Sequence, residues 1–366
     1  MKRMLLCTAI ALVLSSCAGS GRRDQPSPLT MASGAPRTAE QMQTRIDAVV
    51  LKLRIDPKRR EIAGDATLTL RTDAPLSTLV LDLDRRYAID AVELAGTVLA
   101  AAQWRNPDGR LRIDLTQPSA TDVPFDLRIR YSGAPRVAEH APWDGGFVWA
   151  TTPSGAPWIA TAVQGEGCDL FWPCIDHPAA EPGEVEQFIT VPAPLVAAGN
   201  GIDLGMTERD GWRTYHWKTA HPNTYAIALN IAPYAHLEGE YRSRYGNSIP
   251  LHFWHLPERE EGARRLFAEF PRMLDFFEQV IGPYPFGSEK MGVAESPHLG
   301  MEHQTINAYG NEYRLDEYGF DWLLQHEFAH EWFGNQVTNA DWDDMWLHEG
   351  YGAYMQPLYS QWLHGD

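Results

Sequence analysis

Cysteine is scarce in this chain, with four residues in 366. No apolar run is long enough to cross a bilayer: the stretch from Met4 to Leu14 falls well short of the ~20 residues a spanning helix needs. Basic residues are outnumbered, with 31 Lys and Arg against 48 Asp and Glu, a net charge of −17. They form no cluster of the kind that holds a phosphate backbone, which argues against a nucleic-acid partner, and an anionic membrane surface would repel the chain. There is no internal repeat, and no long helical pattern precedes residue 236.

What is present is the composition of a folded protein, 44% hydrophobic and 22% charged. Its length exceeds the ~250–300 residues at which one core usually stops growing, so two domains are expected. Lys2 and Arg3 precede the short apolar stretch in the manner of a secretory signal. The stretch ends in Leu14-Ser15-Ser16-Cys17-Ala18, which resembles the bacterial lipobox. That resemblance implies removal of residues 1–16, lipidation of Cys17, and anchoring to a membrane facing the periplasm, the outer membrane by expectation. Residues 17–43 are small, polar and Pro-containing and read as a tether. Cys7 would leave with the signal, so Cys168 and Cys174 remain, either as a disulfide or as two buried thiols.

From residue 44 the pattern has period two. Val49, Leu51, Leu53 and Ile55 alternate with Val50, Lys52 and Arg54; Phe125, Leu127, Ile129 and Tyr131 alternate with Asp126, Arg128 and Arg130. Turn signals such as Asn106-Pro107-Asp108-Gly109 separate such segments, which predicts an antiparallel β-sandwich over 44–236. The spacing then becomes helical. Leu266, Phe267, Phe270, Met273, Leu274 and Phe277 mark one helix, with Pro271 expected to break or kink it. A short strand is expected near Met291–Ala294 and a second helix from about Phe320 to Phe333, stopped at Gly334-Asn335. A third is expected from Asp343-Asp344, distorted by Pro357. The fold class is therefore α+β, with the sandwich followed by a second domain over 237–366.

The second helix carries His326-Glu327-Phe328-Ala329-His330. Residues i and i+4 share a helix face, so both imidazoles reach one ion, while Glu327 sits about 100° around the axis, beside the metal instead of on it. Glu349, on the next helix, supplies a third ligand. Two His, one Glu and an open position are a catalytic Zn2+ set, with Glu327 as general base.

These residues and their surroundings resemble the M1 family of zinc aminopeptidases. The segment His326–Tyr354 resembles the family's zinc region almost throughout, and Gly300-Met301-Glu302-His303 stands where the family has G-x-M-E-N. Gln164-Gly165-Glu166, Trp172–Asp176 and Thr224–Leu229 also fit. The resemblance covers about residues 44–366 and implies a thermolysin-like catalytic domain after the sandwich. It implies that Glu302 binds a substrate's α-ammonium, helped by Glu166 and Gln164, and that backbone around Gly300 and Met301 holds the peptide extended. Expected partners are peptides with a free N-terminus. His303 departs from the motif's Asn. The family's catalytic Tyr lies some tens of residues past the third ligand, whereas this sequence runs seventeen residues past Glu349; Tyr351 and Tyr354 read as packing residues. The chain is thus expected to be the N-terminal piece of a longer enzyme. Alternatives are a catalytically silent peptide-binding lipoprotein, or another hydrolase of the family in the leukotriene hydrolase branch, which Asn339–Asp343 faintly resembles.

Overall fold

In the computed structural model, residues 29–30 and 32–365 are described; the signal segment and Cys17 lie outside them. The alternating segments form strands as expected, and their odd-numbered apolar positions share one face. Val49, Leu51, Leu53 and Ile55 are all buried, in one core with Leu111, Ile113, Ile159 and Ile231. One layer is an eight-stranded sheet in the order 202–209, 212–220, 184–192, 44–56, 61–72, 125–133, 88–94, 97–98. A three-stranded sheet (Thr78–Asp82, Arg110–Asp114, Trp104–Arg105) and a four-stranded sheet (Val196–Ala198, Asn230–Ala232, Pro157–Ala162, Gly146–Thr151) supply the opposing side chains. The sheet is not wholly antiparallel: Thr44–Asp56 runs parallel to Glu184–Pro192, with Val49 opposite Val185. Cys168 and Cys174 form a disulfide.

The second domain has its own sheet, with β1 (Ala235–Arg242), β2 (Ser248–His255), β3 (Met291–Glu295), β4 (Gly300–Met301) and β5 (Asn307–Tyr309) in the order β1-β2-β3-β5-β4. Sheet pairing thus begins at Ala235, opposite His255. Helices α1 (Glu260–Phe267), α2 (Phe270–Val280), α3 (Trp322–Ala329) and α4 (Trp346–His364) accompany it. Their apolar faces, including Leu266, Phe270, Phe277, Leu323, Phe328 and Tyr359, close a second core.

The helical pattern breaks before Pro271, as expected, whereas Pro357 does not end its helix. Pro271 falls in the first turn of α2, where an N–H has no helical partner to lose, so it opens a second helix after α1 has ended. Pro357 lies inside α4, which continues through it. The helix over 320–333 is shorter than its pattern: Asp321 caps α3 by accepting from the Leu324 N–H at 3.0 Å, and His330 is already its C-cap. Asp343 and Asp344 belong to a 3-10 turn capped by Asp341, and α4 begins at Trp346. The described part of the tether is packed, not free. Thr38 and Gln41 form a capping box around the one-turn helix Ala39–Met42, and the Gln41 side chain donates to Asp82 at 2.7 Å. Among the described residues no helix is long and apolar enough to cross a membrane.

Candidate active site

The i,i+4 spacing in α3 sets the two imidazoles edge to face, with their Nε2 atoms 3.1 Å apart. The Oε2 of Glu349, from α4, stands 3.3 Å from His326 Nε2 and 3.8 Å from His330 Nε2. A zinc ion bound tetrahedrally at about 2.0–2.1 Å places neighbouring ligand atoms roughly 3.3–3.4 Å apart, so this triangle already has the size of one zinc face. The tautomer agrees: His330 Nδ1 donates to the Phe333 carbonyl at 3.0 Å, which leaves the Nε2 lone pair for a metal. The donor set fits one Zn2+. Burial acts to raise the Glu349 pKa, but its hydrogen bond to His326 and the nearby His330 outweigh this and hold it below the ordinary value.

Helix α4 reaches the imidazoles because residue 352 is Gly. A Cβ there would lie 3.1 Å from Cε1 of both His326 and His330, tighter than most real contacts. Gly300 has the same role for the base, since its Cβ would fall 2.3 Å from Glu327 Oε1 and 2.7 Å from Leu323 Cδ1. Glu327 is buried, and burial followed by the charges of Glu302 and Glu349 pushes its pKa well above the ordinary carboxylate range.

Strand β4 pairs with β5 on one side only and forms the end of its sheet, so its other edge borders the cleft. The cleft is a cavity of about 390 Å³ lined by Gln164, Gly300, Met301, Glu302, His326, Glu327, His330 and Glu349, with Pro142, Trp143, Trp322 and Met345 among its other walls. Glu302 is 3% exposed. Its Oε1 accepts from the Gln164 amide and, at 2.7 Å, from the Tyr225 hydroxyl. Ligand atoms of Glu302, Glu327 and His330 all lie within 4.8 Å of one another. Glu302 and the His326–His330–Glu349 group therefore share one small volume.

Among the expected site residues, the structure brings together His326, His330, Glu349, Glu327, Glu302, Gly300, Met301 and Gln164. Glu166 is the exception. It does not line the cleft; its carboxyl packs against Gly145 and is pushed up to about 7 by burial and then by Asp144. Gln164, Gly165 and Glu166 form a turn in which the Gly167 N–H donates to the Val163 carbonyl at 2.7 Å, and it carries Gln164 to Glu302 and Glu166 against Gly145. Tyr354 is 57% exposed and Tyr351 39% exposed, so these are not core residues, although Tyr351 stacks on Phe333 at 4.6 Å. His303 is fully buried, and burial lowers its pKa to about 3.

Tyr225, Asn335 and Trp342 also support the site; each lies in a segment that resembles the family, but none has a site role that the sequence alone predicts. Tyr225 lies within the 3-10 turn Thr224–Ala226, capped by Asn223, whose side chain accepts from the Tyr225 N–H. Asn335 donates to the Glu302 carbonyl at 3.0 Å and to Glu331 at 3.1 Å. Trp342 donates to Ser33 Oγ at 3.0 Å and meets the Tyr225 ring edge-on at 5.4 Å.

Two histidines one turn apart, a carboxylate from the following helix and a buried carboxylate beside them define the class: a His-Glu-x-x-His metallohydrolase site set against a β-rich domain. The chain belongs to peptidase family M1. Residues 41–225 match the Peptidase M1 N-terminal domain, and residues 267–365 match the Peptidase family M1 domain. It is 25% identical over 334 residues to leukotriene A-4 hydrolase of Xenopus laevis, covering 86% of this chain and 51% of that protein. It is 27% identical over 334 residues to aminopeptidase B of Mus musculus, covering 84% and 48%. Among solved structures, an M1 zinc metallopeptidase from Deinococcus radiodurans superposes with a TM-score of 0.73 at 26% identity, covering 88% of this chain and 72% of that one. A mutant of that metallopeptidase bound to a Tyr-ser-ala substrate gives 0.74, with the same identity and coverage. The chain spans about half the length of the curated relatives it matches.

Proposed function

We propose that this chain forms the zinc and amino-terminus site of a metallo-aminopeptidase that removes the N-terminal residue of peptides. One observation carries the reading. A buried carboxylate, Glu302, is fixed by donors from the other domain within 4.8 Å of the base and a metal ligand. Such an anion at a set distance from the reacting centre selects a charged amino terminus and measures one residue to the cut.

His326, His330 and Glu349 would hold the zinc, which when bound supplies Lewis acidity toward the scissile carbonyl and a more acidic water. Glu327 accepts the water's proton on its carboxylate and returns it to the leaving amine. Gln164 and Tyr225 orient Glu302 toward the substrate's ammonium. The free edge of Gly300–Met301 can pair with an extended peptide backbone. Walls from Pro142, Trp143 and Met345 help keep the cleft apart from bulk water.

Steady-state kinetics on a free tripeptide and its N-acetylated form, for parent and Glu302→Ala, test this. Turnover confined to the free peptide, with KM raised in Glu302→Ala, is expected; an unchanged KM and exopeptidase preference would refute the amine role. A second reading is a related hydrolase, favoured by the likeness to leukotriene A-4 hydrolase and by the Asn339–Asp343 segment. A panel of peptides beside leukotriene A-4 separates the two.

We also propose that residues 1–16 direct export and that Cys17 carries a lipid that anchors the chain to a membrane on its periplasmic side; the sequence alone supports this. Cys17→Ala should move the protein from the membrane to the soluble fraction and abolish fatty-acid labelling. Unchanged fractionation and labelling would remove the proposal.

A further inference from the structure

Among the described residues, two other groups of side chains outside the cleft have the composition of a metal site. In Glu139, His140 and Asp144 the Asp144 carboxylate is already engaged, accepting from the Glu139 and His140 backbone N–H groups at 2.8 and 2.7 Å, and the His140 side chain is 80% exposed. That group closes its own loop. The second is His236, Glu238 and His252.

His236 and Glu238 are two residues apart on edge strand β1, so both project from the same face. On β2, His252 lies directly opposite Glu238 and Trp254 directly opposite His236. The four side chains therefore form one patch, with His236 and His252 on its diagonal. His236 Nε2 stands 3.0 Å from His252 Nδ1, and His236 Nδ1 stands 3.2 Å from Glu238 Oε1. One ligand atom from each of the three falls within 4.8 Å of the others.

The rings are held in place. His236 stacks on Trp254 at 4.5 Å with 8° between the planes, and His252 stacks on His236 at 5.1 Å and 12°. Trp254 is itself 4% exposed and fixed edge-on against Trp217 at 5.6 Å. An imidazole clamped on a buried indole loses little freedom when it takes a ligand, and such preorganisation favours binding. Glu238 is open to solvent, which leaves positions for water on an ion. Lys290, whose side-chain nitrogen lies over the Trp254 ring at 5.9 Å, is engaged by the carbonyls of Gly199 and Gly201.

We propose that His236, Glu238 and His252 form a second, peripheral site for a borderline divalent cation such as Zn2+, at the opposite edge of the sheet from Gly300–Met301. Two imidazoles and one carboxylate with open positions suit zinc, nickel or copper and not calcium or magnesium. Three strand spacings, roughly 14 Å, separate β2 from β4, so the ion is not shared with the cleft. It ties edge strand β1 to β2. The inference does not depend on the peptidase reading.

The test is equilibrium dialysis of untagged chain against zinc, in a His326→Ala/His330→Ala background that removes the cleft ligands. One zinc per chain is expected to remain. Adding His252→Ala, or separately Glu238→Gln, should weaken it by at least about tenfold, the low end of what losing even an outer-shell partner costs. Glu238→Gln alters only a solvent-exposed side chain, so it keeps the test valid if the histidine variant unfolds. No zinc in the double-alanine background, or zinc retained unchanged in both further variants, would overturn the site and leave the patch a hydrogen-bonded stack.

Discussion

The metal corner and the amine corner of the cleft differ in how far apart in sequence their parts lie. His326 and His330 are four residues apart, and Glu349 follows on the next helix. Glu302 and its donors Gln164 and Tyr225 are 138 and 77 residues apart, and they come from different domains. Helix geometry alone builds most of the first corner, while the second exists only when the domains are docked. A local substitution should therefore empty the metal corner and leave the fold alone, whereas the amine corner should respond to changes in either domain.

The largest expected effect is at the metal. The Glu349 side chain is 49% exposed, and its polar contacts among the described residues are with His326 and His330. Glu349→Ala should weaken zinc by more than about 100-fold, beyond the cost of losing an outer-shell partner, with the melting temperature of the metal-free chain unchanged. Zinc titration and thermal unfolding check this. Gly300→Ala comes next. The added methyl must displace the Glu327 carboxylate, and misplacement of a reacting group by about 1 Å can cost about 10²-fold, so kcat should fall by that order with zinc content intact.

A smaller effect is expected in the amine corner. Tyr225→Phe removes one of two donors to Glu302 and leaves Gln164, so KM for a free-amine peptide should rise roughly three- to tenfold while the N-acetylated peptide is unaffected. An effect on stability, not on activity, is expected on the thread that joins the corners. Trp342, just before the third-ligand helix, donates to Ser33 Oγ, which donates to Asp176 at 2.8 Å. Burial and then the charge of Asp82 push Asp176 up to about 7. The folded chain then keeps this proton where the unfolded chain has lost it. Its contribution to stability is full below the unfolded carboxylate pKa, about 4, and is lost as pH rises through about 7. Asp176→Asn should narrow the stability difference between pH 5 and pH 8 by roughly 1–3 kcal/mol, measured by denaturant unfolding at both values.

The same contrast governs what the amino-acid order disclosed. Period-two runs such as Val49–Ile55 fixed strands and buried faces because alternation is a property of neighbours. The parallel pairing of Thr44–Asp56 with Glu184–Pro192 was not visible, since register between distant strands leaves no local mark. The grouping of His326, Glu327 and His330 was legible from helix spacing, and Glu349 from its place on the next helix. The boundaries of α2 and α3 were not, because Pro271 could either break a helix or open one, and Asp321 caps later than the apolar pattern starts. Gly300 and Gly352 show their need only when another helix approaches. Glu166 was expected to assist Glu302 with Gln164 nearby, and only the turn over 164–166 assigns Gln164 alone to the cleft. Tyr225 lay within a recognisable segment, yet its role depends on a contact across 77 residues.

The central claim is that the two corners act together on one substrate, and binding without turnover tests it most directly. Zinc-loaded Glu327→Gln chain should be titrated calorimetrically with a tripeptide and with its N-acetylated counterpart. A charge-assisted contact of about 1.5–3 kcal/mol predicts that the free peptide binds at least about tenfold tighter, and that Glu302→Ala in the same background erases the difference. Equal affinity for the two peptides, or a preference that survives Glu302→Ala, would contradict the account.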